Sequence, residues 1–334
     1  MNSPEAVLAA GWFVARDVAP LGAGHIHDTF RATDARGARF VLQRINDRVF
    51  ADPVQVMHNV MRVTAHTSAH APGLTPVLVR SRSGDGFHTD ERGRVWRLWE
   101  EVGDCRVVSQ VTQTALAEAA GFAFGRFQQV LADLPQPPLA PVIPGFHELE
   151  KVLLRFDHVA AAERTDRGKD AAFVDRHRDL AQHLSDPTGH IHGDCKLSNL
   201  LFDGSRSEVR CVLDLDTVML GHWAWDYGDL VRSVLTATRP DMWPQAFAAV
   251  TRGFLTGSGI RATAGELTAA PRYMTFMLGV RYLTDHLDDD TYFKVAARGD
   301  NLQRARRQFA LLESIEAAVT GLRGALTGIE GVLK

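Results

Sequence analysis

The chain has 334 residues, 45% of them hydrophobic, and a formal net charge of −3. That size allows one large or two ordinary domains, and a near-neutral balance gives no electrostatic reason to expect nucleic acid or an anionic membrane as partner. No run approaches the roughly 18 apolar residues that a membrane span needs.

The first segment, Ala6 to Ala15, is short and apolar, and the first cation is Arg16. A secretory signal needs a basic stretch before its apolar run, so none is expected here. Leu21 to Phe30 reads LGAGHIHDTF, a glycine-containing turn between β-prone segments. Glycines let backbone amides approach phosphates unobstructed, so Gly22, Gly24 and His25 are candidate phosphate-covering residues. A plain hairpin is the competing reading of the same residues. Phe30–Thr33 and Phe40–Ile45 flank the turn residues Asp34–Gly37, which predicts a hairpin. Asp52-Pro53 is a helix start, with Asp as cap and Pro at the first position. Val54, Met57, Val60, Met61 and Thr64 then follow a helical period. Residues 75–80 and 95–102 read as further strands. Gly103 after the second of these marks a hinge, where backbone groups of Glu100 to Val102 would meet an adenine edge.

From Gln113 the pattern turns helical. Ala119, Ala120, Gly121, Ala123 and Gly125 permit close helix packing. Residues 135–145 form a loop with five prolines, and residues 146–156 and 170–184 look helical. The chain after residue 213 is helical to its end. A small β-rich lobe, residues 1–102, therefore precedes a larger α-rich lobe, residues 103–334. This is an α+β, bilobal protein-kinase-like arrangement.

Chemistry concentrates in GHIHGDCKLSNLLFD, residues 189–203, and in VLDLD, residues 212–216. Phosphoryl transfer needs a carboxylate to accept a hydroxyl proton and oxygen ligands for Mg²⁺ on the ATP phosphates. Asp194 suits the first task. Asn199 and Asp214 suit the second, and Lys196 can offset the charge of the transferred group. A protein kinase adds a lysine on its third strand and a glutamate on the next helix. Here Gln43 or Arg44 occupies the strand position, depending on register, and the helix offers Gln55, His58 and Asn59 but no acid. The missing pair points away from a protein kinase and toward a small-molecule kinase. The three cysteines match no zinc spacing and read as free thiols in a reducing cytoplasm.

Beyond these residues, the chain resembles the aminoglycoside phosphotransferase-like superfamily. Within that group it is similar to the N-acetylhexosamine 1-kinases. The resemblance runs through GAGHIHDTF (22–30), FVLQRIN (40–46), PGFHELE (144–150), HGDCKLSNLLF (192–202), VLDLDTVMLGHWAWDYGDLVR (212–232), RYLTDHL (281–287) and NLQRARRQ (301–308). It implies ATP- and Mg²⁺-dependent phosphorylation of a free sugar, GlcNAc or GalNAc, at its anomeric hydroxyl. Carried over by position, Asp194 is the base, Asn199 and Asp214 are metal ligands, and Asp216 is a further candidate ligand. His192 and Asp226 are expected to brace the loop, and Asp229 with Arg232 to form an ion pair. Sugar contacts are expected from His147, Asp229, Arg281, Tyr282 and Asp285. Arg281 and Asp285 are also spaced as an ordinary i,i+4 helix pair. The same fold can serve another acceptor: an unacetylated amino sugar, another hexose, an amino alcohol or an aminoglycoside. The acid-rich run Asp285 to Asp290 suits the polycationic last of these.

Overall fold

The structure is a computed structural model that describes residues 3–22, 26–162, 168–182, 184, 186–327 and 329. Helix α1 (Pro4–Gly11) opens the chain, capped by Ser3. It is followed by strands β1 (Asp17–Pro20), β2 (Asp28–Thr33) and β3 (Arg39–Arg44). The predicted hairpin forms between β2 and β3. Asp34 closes it by accepting hydrogen bonds from the Arg36 and Ala38 amides, both at 2.8 Å. Gly37 supplies the left-handed residue of the turn at φ 85°.

Helix α2 (Pro53–His70) starts as predicted, with the Asp52 side chain accepting from the Gln55 amide at 2.9 Å. Strands β4 (His88–Thr89) and β5 (Val95–Glu100) complete an antiparallel sheet of order β1-β2-β3-β5-β4. Residues 75–80 differ from expectation. They run beside β5 through a single bridge, Leu78 to Trp99, with flanking bonds from Val79 to Leu98 and from Glu100 to Val77. Pro76 has no N–H to donate, which shortens the pairing.

One face of this sheet packs Ala32, Leu42, Trp96 and Leu98 against Val7, Leu8 and Trp12 of the N-terminal segment. The period-2 alternation of strands therefore turns Thr29, Val41, Gln43, Arg97 and Trp99 to the opposite face. On that side lies the core containing Val56, Met57 and Val60 of α2.

The larger part begins with β6 (Cys105–Arg106) and α3 (Thr114–Leu131). Helix α4 (Leu149–Ala162) starts later than expected, because residues 146–148 are held in turns by Ile143 and Gly145 carbonyls. Helix α5 (Gly168–Arg176) gives way to a 3-10 turn at Arg178–Gln182, so residues 170–184 are not one helix. Strands β7 (Gly189–Ile191), β8 (Leu200–Asp203), β9 (Val209–Val212) and β10 (Met219–Gly221) form two small antiparallel sheets, β6-β8-β9 and β7-β10. Helices α6 (Trp223–Thr236), α7 (Trp243–Ser258), α8 (Ala264–Leu287) and α9 (Asp300–Ala325) fill the rest. The result is an α+β, bilobal, kinase-like fold, a small sheet part joined to a larger helical part. Among the described residues, no helix is long and apolar enough to cross a membrane.

The small residues of α3 work as predicted. A Cβ on Gly121 or Gly125 would strike the backbone of α7 at Val250 or Phe254, and one on Gly253 would strike Glu118 of α3. The two backbones meet with no room for a methyl group, and Tyr227 and Phe254 of the core pack around that seam. Gly253→Ala should destabilise the protein by about 1–3 kcal/mol through overpacking. The measurement is the shift in its urea or thermal midpoint. An unchanged midpoint would mean that the helices separate without cost.

Candidate functional site

The loop between β7 and β8 carries the catalytic candidates, and the turn after β9 carries the metal candidates. Asp226, in the first turn of α6, organises the loop. Its carboxylate is buried and accepts from the amides of His192 (2.7 Å) and Gly193 (2.8 Å) and from Gln128 of α3 (2.7 Å). His192, fully buried between the edges of Phe124 and Phe127, makes contacts in two directions. Its Nε2 bonds the Leu213 carbonyl (2.8 Å) and its Nδ1 accepts from the Asp194 amide (3.2 Å). The His192 carbonyl accepts from Thr217 (2.9 Å), which ties the two loops together. Gly193 has φ 82°, and a Cβ there would press on the Thr217 carbonyl oxygen, so both conformation and space require glycine.

These contacts place Asp194 where it can act. Its side chain is 24% exposed, and Oδ2 accepts from Lys196 Nζ (2.6 Å) and Asn199 Nδ2 (2.9 Å). Burial works to raise its pKa. The nearby ammonium, the hydrogen bonds and His192 outweigh burial and hold it below the usual carboxylate range. Asp194 is therefore ionised near neutral pH, the form that can accept a proton. Lys196 is shifted up: burial alone would lower it, but Asp194 and Asp214 stabilise its charge.

Asp214 and Asp216 have opposite surroundings although they are two residues apart. Asp214 sits in the left-handed region at φ 62°, ψ 64°. That conformation is uncommon for a residue with a side chain and accumulates at functional sites. Its carboxylate accepts no hydrogen bond from any described residue. Burial first, then repulsion from Asp216 and Asp194, pushes its pKa up. An isolated carboxylate facing other carboxylates is what a hard cation would relieve, and Asn199 adds a neutral amide oxygen beside the same loop. The oxygen donors present fit Mg²⁺ or a similar ion.

Asp216 is instead fully engaged. It is 2% exposed, and its carboxylate receives both terminal nitrogens of Arg97, one at 2.9 Å, and His27 Nε2 at 2.5 Å. Burial alone would raise its pKa, but Arg97 and His27 hold it well below the usual range. His27, Asp214 and Asp216 each place a ligand atom within 4.8 Å of the others.

The register question at β3 has an answer. Gln43 lies on the α2 side, where its Oε1 accepts from Arg97 Nε and Trp99 Nε1, both at 3.0 Å. Arg44 lies on the other face and pairs with Asp28. Gly22 has φ 67°, while Gly24 and His25 lie outside the described residues. At the end of β5, the Glu100 and Glu101 amides bond the carbonyls of Val77 and Arg39. The Val102 amide bonds no described backbone carbonyl.

The residues expected to meet an acceptor divide into two groups. Asp285 is 3% exposed and accepts from the amides of Tyr292 (2.7 Å) and Phe293 (2.8 Å) and from Asn301 (2.8 Å). Its carboxylate shapes the segment between α8 and α9. Asp229 is buried against Arg232 at 2.7 Å, the ion pair that was predicted. Burial raises the Asp229 pKa, with Arg232 opposing. His147 bonds the Gly193 carbonyl through Nε2 at 2.6 Å, while its buried Nδ1 has no partner among the described residues. Arg281 differs from these. Its guanidinium lies 4.3 Å from the ring centre of Phe146 and 5.3–5.4 Å from those of Tyr292 and Phe293. It lines a cavity of about 150 Å³ with Lys151, Arg155 and Phe146. Tyr282 packs on Phe293 with ring centres 4.4 Å apart.

Sequence reasoning missed Arg97, His27, Gln128 and Thr217. Arg97 had a usable signal, a single charge inside the apolar strand Val95-Trp96-Arg97-Leu98-Trp99. A charge in such a strand is buried only when paired.

The sequence profile of the phosphotransferase enzyme family matches residues 17–262. The chain belongs to that family. It is a phosphotransferase that acts on a hydroxyl group of a small molecule. Solved structures share its fold at low identity. An aminoglycoside phosphotransferase from Alicyclobacillus acidocaldarius is 16% identical, with a TM-score of 0.63 over 98% of this chain and 97% of its own. A choline/ethanolamine kinase family protein from Mesorhizobium loti is 16% identical, with a TM-score of 0.61 over 93% and 92%. The amicoumacin kinase hAmiN, solved with AMP-PNP and Ca²⁺, is 15% identical, with a TM-score of 0.60 over 89% and 87%.

Two outcomes follow for this phosphotransferase. Asp226→Ala orphans two buried amides behind the catalytic loop. It should cost about 1–3 kcal/mol for each unsatisfied donor, read by thermal denaturation. His147 is held neutral, its pKa lowered by burial and by Arg281 from 6.5 to about 3. The unfolded chain binds the proton more readily, so stability drops as pH falls below about 6.5 and continues to drop toward about 3. The slope is roughly 1.4 kcal/mol per pH unit. His147→Gln should flatten that part of the stability profile relative to the parent protein. Parallel profiles would place the proton elsewhere.

Proposed function

We propose that this phosphotransferase uses ATP with Mg²⁺ to phosphorylate the anomeric hydroxyl of an N-acetylhexosamine, GlcNAc or GalNAc, giving the sugar 1-phosphate and ADP. The small part, residues 1–102, holds the nucleotide, and residues 103–334 hold the acceptor. The observation that carries the chemistry is the ionised Asp194, partly exposed and fixed by Lys196 and Asn199. It takes the proton of the acceptor hydroxyl as that oxygen attacks the γ-phosphorus, and the bond to the β-phosphate oxygen breaks to release ADP. Asp214 and Asn199 would hold the metal ion, which would neutralise phosphate charge. Lys196 adds a cation next to the transferred group. The adenine edge meets the end of β5, where the Val102 amide bonds no described backbone carbonyl, and Gly22, Gly24, His25 and Gln43 are assigned to the phosphates.

A neutral sugar fits the acceptor side better than a polycation does. The acid run 285–290 is occupied by its own surroundings. Asp285 is bonded to two amides and Asn301, Asp288 to Arg155, and Asp289 and Asp290 to Arg298. The cavity beside His147 is lined by Arg281, Lys151 and Arg155 as well as the bonded Asp285; Lys151 pairs with Glu148 and Arg155 with Asp288, which leaves Arg281. Arg281, its guanidinium laid on aromatic faces and donating to no described residue, is the direct sugar contact. His147, Asp229 and Asp285 shape the site around it.

The test is ATP turnover with Mg²⁺ against GlcNAc, GalNAc, glucosamine, plain hexoses, choline and an aminoglycoside, with the product position read by ³¹P NMR. We expect an anomeric phosphate on an N-acetylhexosamine. Turnover confined to choline or an aminoglycoside would remove the sugar assignment and leave the phosphotransfer residues in place. Asp194→Asn should lower turnover by about 10²–10⁴-fold while ATP still binds. Arg281→Met should raise the acceptor KM by about 10–100-fold, the loss of a charged hydrogen bond, with the ATP KM unchanged.

A further inference from the structure

Protein kinases fix the lysine of their third strand with a glutamate from the next helix. This chain has Gln43 on the strand, and α2 presents no acid. We propose that a buried trio, which ties the small sheet to the metal-binding turn, orders the site without that pair. Arg97 and His27 hold Asp216 as a strut between the small sheet and the metal-binding turn, leaving Asp214 as the carboxylate for the cation. Arg97, His27 and Asp216 are thus positioning residues, and Asp216 is not a metal ligand.

The geometry supports each part. Arg97 is 1% exposed, and all three guanidinium nitrogens are occupied, two by Asp216 and one by Gln43. Its carbon also lies 5.2 Å from the centre of the Trp99 ring. It cannot reach a nucleotide without abandoning a buried carboxylate, and such a break is strongly unfavourable. Asp216 in turn bonds groups distant in sequence, Arg97 on β5 and His27 in the turn before β2. His27 has both ring nitrogens engaged, Nε2 on Asp216 and Nδ1 accepting from the Asn46 amide at 3.2 Å. One carboxylate thus ties together the nucleotide-side turn, the central sheet and the loop that carries Asp214. The flanking bond from the Leu213 amide to the Asn199 carbonyl, 2.8 Å, fixes the other side of Asp214. A left-handed Asp214 needs such over-determination, because a free chain would relax out of that conformation.

The proposal rests on phosphoryl transfer and not on the sugar assignment, so its main test omits any acceptor. Arg97→Lys, Asp216→Asn, Asp214→Asn and the double variant Arg97→Lys/Asp216→Asn are compared in two measurements. The first is the metal-free thermal midpoint. The second is AMP-PNP affinity as a function of Mg²⁺. Without metal, Arg97→Lys and Asp216→Asn should lower the midpoint, and the double variant should be no worse than the poorer single, as for residues acting as one unit. Asp214→Asn should leave the midpoint unchanged or raise it, because it removes a carboxylate repelled by its neighbours. Half-saturation by Mg²⁺ should move by more than about 100-fold in Asp214→Asn, which loses a ligand, but by only about tenfold in the strut variants, which displace one. With an acceptor, the strut variants should turn over about 100-fold more slowly, the cost of misplacing reacting groups by about 1 Å. Three outcomes would overturn the proposal. One is an Asp216→Asn half-saturation displaced as far as that of Asp214→Asn. Another is an unchanged metal-free midpoint in both strut variants, and the third is an additive double variant. If Asp216→Asn does not fold, Arg97→Lys decides alone, and a displacement there as large as that of Asp214→Asn would equally overturn it.

Discussion

Repulsion between carboxylates is the constraint that organises this molecule. Asp194, Asp214, Asp216, Asp226 and Asp229 all lie on or behind two adjoining loops. Bringing so many like charges out of water is unfavourable unless each is compensated. Four of the five have a compensating partner. Lys196 pairs with Asp194, Arg97 with Asp216 and Arg232 with Asp229, while two backbone amides and Gln128 satisfy Asp226. Asp214 accepts no hydrogen bond from a described residue; Lys196 and His27 offset its charge only in part, and burial with repulsion from Asp216 and Asp194 leaves its pKa raised. The site thus carries one unbalanced carboxylate, next to an ionised one held by an ammonium, which is the arrangement that metal-assisted transfer to a hydroxyl uses.

The helices behind the loops serve this arrangement. Helix α6 supplies both Asp226 and the Asp229–Arg232 pair, and Ser233 of the same helix accepts from the Leu197 amide at 3.0 Å. Its position depends on α3 and α7, which approach closely because glycines face each other across their contact. Packing density is thereby passed to the catalytic loop: α3 contributes Gln128 to Asp226, and Phe124 and Phe127 enclose His192. A stiff helical platform allows a loop to hold a base at hydrogen-bond precision.

Around the end of α8, charge is arranged differently. The acids that the sequence displays most openly, residues 285–290, are used to shape the segment between α8 and α9. The half-buried cavity beside them is lined by aromatic rings around Arg281. A guanidinium on ring faces keeps its donors directed outward while its flat surface is covered.

The sequence by itself determined the local features. The Asp34–Gly37 turn, the Asp52-Pro53 helix start, the small-residue face of α3 and the ordered set Asp194, Lys196, Asn199 and Asp214 are all encoded within short windows. Turn chemistry, capping and periodicity act over a few residues, so they can be read from a string. Tertiary structure decided what depends on distant partners. Gln43 and Arg44 differ only by strand parity, and pairing with β5 was needed to settle which one faces α2. Asp214 and Asp216 look interchangeable in VLDLD, and Arg97, 119 residues away in sequence, distinguishes them. His147 and Asp285 show the same limit: each has the composition of a sugar ligand, yet its hydrogen bonds go to backbone groups brought near only by folding. A side chain's chemistry is set by its residue type, but whether that chemistry is free or already satisfied depends on contacts that only the folded chain creates.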